Sequence, residues 1–383
     1  MDDAAILRLA SRLVELNQAK RFDQVDHSVE VATSRYVDAD RWAQEKARIF
    51  AREPQLVGLG ADIPAPGDYS AFELAGTPVF LVRGKDGVAR GFVNSCRHRG
   101  TAIVQGRGTV AGPLMCPYHN WCYDLAGRLT GVPERAAFAD AGLDTRSLIE
   151  LPVAEKYGML VMSPAPDIAC DVDRFLGPAA PEFTPFGFDR VHFVKARTEE
   201  LPINWKLMLE AAMEGYHVIP LHGPALDKLM GAGYVLKYFT YDRFGRHGRI
   251  VSGMRGLLDP ATRASPEAAF RNMSLTNYLY PGSYLIFSGT NVTLSRTEPG
   301  SAPNKTLKTL ISYSWQPLDE AGRGAAERLF DGIWQIGIDE DVWAMASAQR
   351  AFDAGFPATV IHGGVEPGVQ DINAEWDAAL GRN

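Results

Sequence analysis

The chain has 383 residues, enough for two domains and for a large core that needs no disulfide staples. Hydrophobic residues make up 46% and charged residues 22%, the ordinary balance of a soluble globular protein. A net charge of −7 disfavours nucleic acid or an anionic membrane as partner, and no apolar run reaches the ~18–20 residues of a bilayer span.

Met1-Asp2-Asp3-Ala4 lacks the basic segment of a signal peptide, so a cytoplasmic location is expected. Residues 1–50 read as a helical arm, with Leu7, Leu9, Leu13, Val14 and Leu16 near helical spacing and the pattern repeated from Arg41 to Arg52. From 51 to 163 the texture is short β-type runs, such as 78–82, 90–93 and 158–162, separated by turns such as Lys85-Asp86-Gly87. That pattern predicts a small antiparallel β-domain. Beyond Pro164-Ala165-Pro166 a helical segment near 203–218 precedes alternating runs at 283–287 and 306–311, and a helical stretch from about 322 to 352 closes the pattern. Residues 164–383 therefore predict a second, α+β domain.

Three of the four cysteines, Cys96, Cys116 and Cys122, fall within 27 residues, which in a reducing compartment points to metal or redox chemistry. Cys96-Arg97-His98 and Cys116-Pro117-Tyr118-His119 each put one Cys and one His on a loop between strands. A Rieske [2Fe–2S] cluster needs two thiolates on one iron and two imidazoles on the other, which this pairing supplies. A Cys2His2 zinc site is the competing reading, but zinc sites pair like ligands and this chain alternates them. Cys122 alternates with Trp121 and Tyr123 as in a strand and is expected to be a buried free thiol.

Glu210, Glu214 and His217 fall at i, i+4 and i+7 and would share one helix face. His222 follows five residues after His217, about 140° away on a straight helix, so the two converge only if the helix breaks, and Pro220 offers the break. Two histidines with a carboxylate form the facial triad of non-haem Fe(II) oxygenases. The carboxylate must come from elsewhere, and Asp339-Glu340-Asp341 offers three choices. The bland alternative is a solvated acidic face beside two ordinary polar histidines.

Together these blocks resemble the catalytic α-subunit of the Rieske non-haem iron oxygenases, the family of ring-hydroxylating dioxygenases and Rieske monooxygenases. Cys96 to Gly100, Cys116 to Trp121 and Asp124 to Leu129 carry the cluster motif. Asn204-Trp205-Lys206 through Glu214 and His217 to His222 carries the iron motif, and Asp339-Glu340-Asp341 with Gln349 carries the late segment. The resemblance implies an N-terminal antiparallel β Rieske domain followed by a helix-grip (START-like) catalytic domain. It implies a cluster on Cys96, His98, Cys116 and His119, and a mononuclear Fe(II) on His217, His222 and Asp341. Asn204 would lie near the iron's open side. Glu214 would link His217 to His119 of the partner subunit, within the homotrimer or trimer-based oligomer that the resemblance implies. Most members carry Asp at position 214, and Glu there is similar to a minority that includes enzymes of quaternary amines. Ala346 also departs from relatives that carry an acid there. The implied reaction takes electrons from an NAD(P)H-dependent reductase or ferredoxin and uses O2 to hydroxylate or demethylate a small organic substrate. Met208, Met213, Phe287 and Trp343 are candidates for the pocket wall.

Overall fold

Alternating apolar residues and Gly, Pro and Asp turns produce a β-domain whose strands are all antiparallel. A computed structural model describes residues 1–230, 235–289 and 291–382. The chain forms two units, one of Ala51–Phe175 and one that joins Met1–Phe50 to Leu176–Asn383. The first 50 residues, expected as an arm of their own, thus belong to the same unit as the residues from 176 onward. Among the described residues no helix is long and apolar enough to cross a membrane.

In the unit Ala51–Phe175, the strands Asp68–Leu74, Thr77–Arg83 and Ala89–Val93 form the centre of a five-stranded sheet. Val79 to Val82 are almost wholly buried in a row, because one face of this strand meets the cluster of Leu74, Leu151 and Leu160 and the other meets Phe92 and Tyr123. A small three-stranded sheet of Leu114–Met115, Cys122–Tyr123 and Leu129–Gly131 holds the second Cys–His loop. Trp121 and Tyr123 are buried, so strand parity turns Cys122 the other way. The expectation of a buried Cys122 is corrected: it is half-buried, and its thiol donates to the Asn120 carbonyl at 3.3 Å.

The other unit is built on a seven-stranded antiparallel sheet. Its order is His192–Leu201, Thr306–Ser314, Asn291–Pro299, Ser283–Ser288, Met273–Leu279, His247–Gly253 and Thr240–Phe244. The helix Trp205–Ala212 lies on this sheet, started by Asn204, whose side chain accepts the Lys206 N–H at 3.0 Å. A long helix predicted over 322–352 is instead two, Glu320–Ile336 and Trp343–Asp353, joined by a π-helical turn Gly337–Val342. The strand Thr359–His362 and the helix Pro367–Ala379 were not foreseen. The strand pairs with Val29–Ala32, which ties the N-terminal segment to the C-terminal one.

The core of this unit runs through aromatic rings. Trp205 and Trp376 are fully buried with ring centroids 4.6 Å apart, and Phe50 packs edge-on against Trp205 at 4.9 Å. Beside them Glu45, wholly buried, accepts two bonds from Lys206 Nζ at 2.8 Å each, one from Trp205 Nε1 at 2.9 Å and one from Arg41 at 2.8 Å. Burial pushes the Lys206 ammonium down to about 8, against the pull of Glu45.

Candidate metal centres

The two Cys–His loops are built alike. Gly100 N–H donates to the Cys96 carbonyl at 2.8 Å and Asn120 N–H to the Cys116 carbonyl at 3.0 Å. Cys96 N–H and Cys116 N–H each reach the carbonyl five residues on, at Thr101 and Trp121, both at 2.9 Å. Gly100 and Asn120 close their loops at positive φ, 83° and 55°, which glycine and asparagine tolerate best. The Cys96 and Cys116 thiols interact with each other, and the imidazoles of His98 and His119 pair with centroids 4.6 Å apart.

Two thiols and two imidazoles fit the ligand set of a Rieske cluster. His98 Nδ1 is buried and has no hydrogen-bond partner, as an atom waiting for a metal would be. Trp121 stacks on the His98 ring at 4.8 Å and fixes its plane. Tyr123 accepts the Arg97 N–H at 2.9 Å and turns its own hydroxyl hydrogen to Cys96 Sγ at 3.3 Å. Burial pushes the Cys96 thiol up and the Tyr123 hydrogen bond opposes it, while burial holds His98 below its ordinary value. An iron at the site would reverse the first trend by favouring the thiolate.

In the second constellation the helix Trp205–Ala212 stops before Glu214 and His217. The single-face expectation for Glu210, Glu214 and His217 is therefore corrected. Glu210 turns into the core, where it accepts from Tyr36 Oη at 3.1 Å and from Asn373 Nδ2 at 2.9 Å. Glu214 and His217 sit in the turn that follows. A Cβ on Gly215 would lie 2.0 Å from the Phe239 ring, so only glycine fits between them. His217 caps a π-helical turn, Val218–His222, that runs on into the helix Gly223–Met230. Pro220 lies inside that turn and does not end it. The wider winding of a π-turn replaces the α-helical angle on which residues five apart diverge, and the rings of His217 and His222 stand 5.1 Å apart.

Asp341 comes from the other π-helical turn. Its Oδ1 lies 2.9 Å from His222 Nε2 and 3.7 Å from His217 Nε2. Ligand atoms of His217, His222 and Asp341 all lie within 4.8 Å of one another, so the three side chains could hold one metal ion. The outer nitrogen of each imidazole is held by a glutamate: Glu214 pairs with His217 Nδ1, and Glu340 lies 2.6 Å from His222 Nδ1. Glu214 also accepts the His217 N–H at 3.0 Å. Such partners fix ring orientation and raise ligand basicity. Burial lowers the pKa of His222, but bonds to Asp341 and Glu340 outweigh it and the net shift is upward. Of the three acids in the late segment, Asp339 bonds Gln335 at 2.8 Å on the exposed side and Glu340 braces His222.

Asn204 is not at the open side of this centre. It is 1% exposed, its Nδ2 donates to the Pro303 and Tyr36 carbonyls at 2.7 and 3.1 Å, and its Oδ1 caps the helix. Its own N–H donates to Gln349 Oε1 at 2.9 Å, so both residues knit the frame rather than the pocket. Ala346 packs on the apolar cluster of Leu201, Met208 and Val342.

His217, His222 and Asp341 open into a cavity of about 390 Å³, a usual size for a small-molecule site. Met208, Phe239, Ile250, Ile286, Leu310 and Trp334 supply apolar wall. Of the four side chains expected there, only Met208 lines it: Met213 is buried elsewhere, Phe287 packs against Phe186 and Phe188, and Trp343 is 65% exposed. The polar residues Tyr284 and Lys308, which also line it, were not singled out in the sequence, although Lys308 stood in plain view in an alternating strand.

Residues 53–151 match the Rieske [2Fe-2S] domain, and residues 188–382 match the ring hydroxylating alpha subunit (catalytic domain). The chain is 33% identical over 366 residues to the 2-aminobenzenesulfonate 2,3-dioxygenase subunit alpha of Alcaligenes sp, covering 91% of this chain and 92% of that one. It is 34% identical over 208 residues to the glycine betaine monooxygenase oxygenase subunit of Chromohalobacter salexigens, covering 54% of this chain and 46% of the relative. Over 192 residues it is 31% identical to the carnitine monooxygenase oxygenase subunit of Escherichia coli K12, covering 49% and 50%. The match thus spans about half the length of these last two relatives. Among solved structures, the quaternary ammonium Rieske monooxygenase CntA superposes with a TM-score of 0.77 at 20% identity, over 94% of this chain and 96% of that one. Naphthalene 1,2-dioxygenase with bound indole gives 0.71 at 19% identity, over 92% and 95%. These two likenesses concern the fold.

Proposed function

The chain belongs to the ring-hydroxylating α-subunit family, with a Rieske [2Fe–2S] domain and a catalytic domain of the kind that binds mononuclear iron, and from that premise we propose that it is the oxygenase component of a multicomponent system. In this reading it takes electrons from an NAD(P)H-dependent reductase or a ferredoxin and uses O2 to hydroxylate or oxidatively demethylate a small organic substrate. Cys96, His98, Cys116 and His119 hold the cluster, and His217, His222 and Asp341 hold the iron. When bound, the cluster supplies single electrons and the Fe(II) supplies the site of O2 activation.

The observation that carries the reading is the convergence of two histidines and one aspartate on an apolar-walled cavity, in a chain that also bears two Cys–His loops. Bound there, the iron would be held by three side chains, the ligand set from which non-haem Fe(II) sites supply O2 chemistry. Glu214 and Glu340 hold the Nδ1 atoms of His217 and His222, which leaves both Nε2 atoms facing Asp341. By the family resemblance Glu214, which holds His217 in its own chain, is the proposed bridge for electrons arriving from the partner subunit's His119 in a trimer.

Metal and sulfide analysis of the purified protein tests the reading. The expected content is about three irons and about two acid-labile sulfides per chain, with O2 uptake that needs both reductase and NADH. A cluster without the extra iron would mean an electron carrier, and zinc would mean a metal-stapled β-domain.

A further inference from the structure

Lys308 is the feature of the cavity that iron chemistry leaves unexplained. It lies on the strand Thr306–Ser314, lines the cavity and is 6% exposed. Its Nζ donates to the Tyr284 hydroxyl at 2.6 Å and to Ser295 Oγ at 2.5 Å, with Thr297 Oγ1 farther off at 3.5 Å. All three acceptors are neutral. Among the described residues Lys308 makes no ion pair within 4.0 Å. Glu199 stands opposite it in register on the neighbouring strand, but that carboxylate is 43% exposed and pairs with Arg197 at 2.8 Å. The acids that line the cavity, Glu214 and Asp341, are taken up by His217 and His222.

A buried ammonium without a counter-charge is costly, and the cost falls when a ligand brings the charge. Two further groups point the same way. The Tyr284 hydroxyl accepts from Lys308, which leaves its own hydrogen for another acceptor. Trp334, also in the lining, has a buried indole N–H with no partner. The cavity therefore offers one cation and two donors and lacks the acceptor that would satisfy them.

We propose that the cavity selects a substrate with an anionic group, a carboxylate or sulfonate, which docks on Lys308 and Tyr284 while its apolar remainder fills the wall beside His217 and His222. The long contact to Thr297 is the one an incoming oxygen would replace. This assignment rests on the reading of the cavity as the oxygenase's substrate site, and it names the class of substrate.

Equilibrium titration of the cluster- and iron-loaded enzyme tests it, with benzoate against benzamide and benzenesulfonate against benzenesulfonamide. At least one acid should bind about ten-fold or more tighter than its neutral partner, and the pair that shows it tells carboxylate from sulfonate. Lys308→Met should abolish that preference and leave the amide's affinity within about two-fold. Tyr284→Phe, which keeps the ammonium, should weaken the acid alone by about five-fold, and it serves where Lys308→Met does not fold. Equal binding of acid and amide in both pairs, or a preference that survives both substitutions, overturns the proposal. Because the readout is binding, its failure leaves turnover and iron content untouched. Missing iron would instead sink the oxygenase reading without altering the acid preference.

Discussion

Glu214 holds His217 twice, through the ring Nδ1 and through the backbone N–H at 3.0 Å. One carboxylate thus sets both the tautomer and the backbone position of a proposed iron ligand.

Glu214→Gln keeps the shape of the side chain and removes its charge. With Fe(II) supplied in excess both metals should remain bound, while the reduced cluster is oxidised slowly and little product forms, because the electron no longer passes efficiently to the iron. Rapid-mix oxidation of the reduced cluster, read beside product yield, checks this. Coupled turnover at the normal rate would remove Glu214 from the electron path.

His217→Ala removes one of three proposed ligands, and iron at the catalytic centre should fall to near zero. The visible spectrum of the cluster should stay unchanged, since its proposed ligands all lie within the Ala51–Phe175 unit. Loss of the cluster spectrum in this variant would mean that the division into two centres is wrong.

Glu340 stands 2.6 Å from His222 Nδ1 and does not reach for the metal itself. Glu340→Gln should weaken Fe(II) binding by about 10–100-fold, the usual effect of losing such a partner. Competition with a calibrated chelator measures it. An unchanged affinity would show that His222 is oriented by packing alone.

Tyr123→Phe removes the hydroxyl that lies 3.3 Å from Cys96 Sγ. A donor to sulfur favours the reduced, more electron-rich cluster, so its loss should lower the reduction potential by on the order of tens of millivolts. Protein-film voltammetry reads this directly, and an equal or higher potential would contradict the assigned hydrogen bond.

Glu45→Ala leaves Lys206, which is fully buried, without its only carboxylate among the described ion pairs. Breaking a buried pair from one side costs about 3–5 kcal/mol, and denaturant unfolding of the loaded protein should show a loss of that order. A loss below about 1 kcal/mol would mean that water reaches the pair.

By itself the sequence settled the parts whose chemistry is local. Cys96 with His98 and Cys116 with His119 are held by turns only a few residues long, and a glycine and an asparagine at positive φ can be read there as turn formers. The β texture of the first domain was legible for the same reason: alternation and turn residues act on neighbours in the chain. The iron centre was legible as a set of residue types but not as an arrangement. Two π-helical turns, Val218–His222 and Gly337–Val342, change the angular spacing on which any helix-face argument depends, and no short motif announces them. Which of three adjacent acids faces the histidines, why the Asn204 amide is spent on the Tyr36 and Pro303 carbonyls, and where Lys308 ends without a counter-charge were all decided by tertiary packing. Each depends on contacts between segments about a hundred or more residues apart, or on strand partners across a sheet, and these form only when the chain has closed around its core.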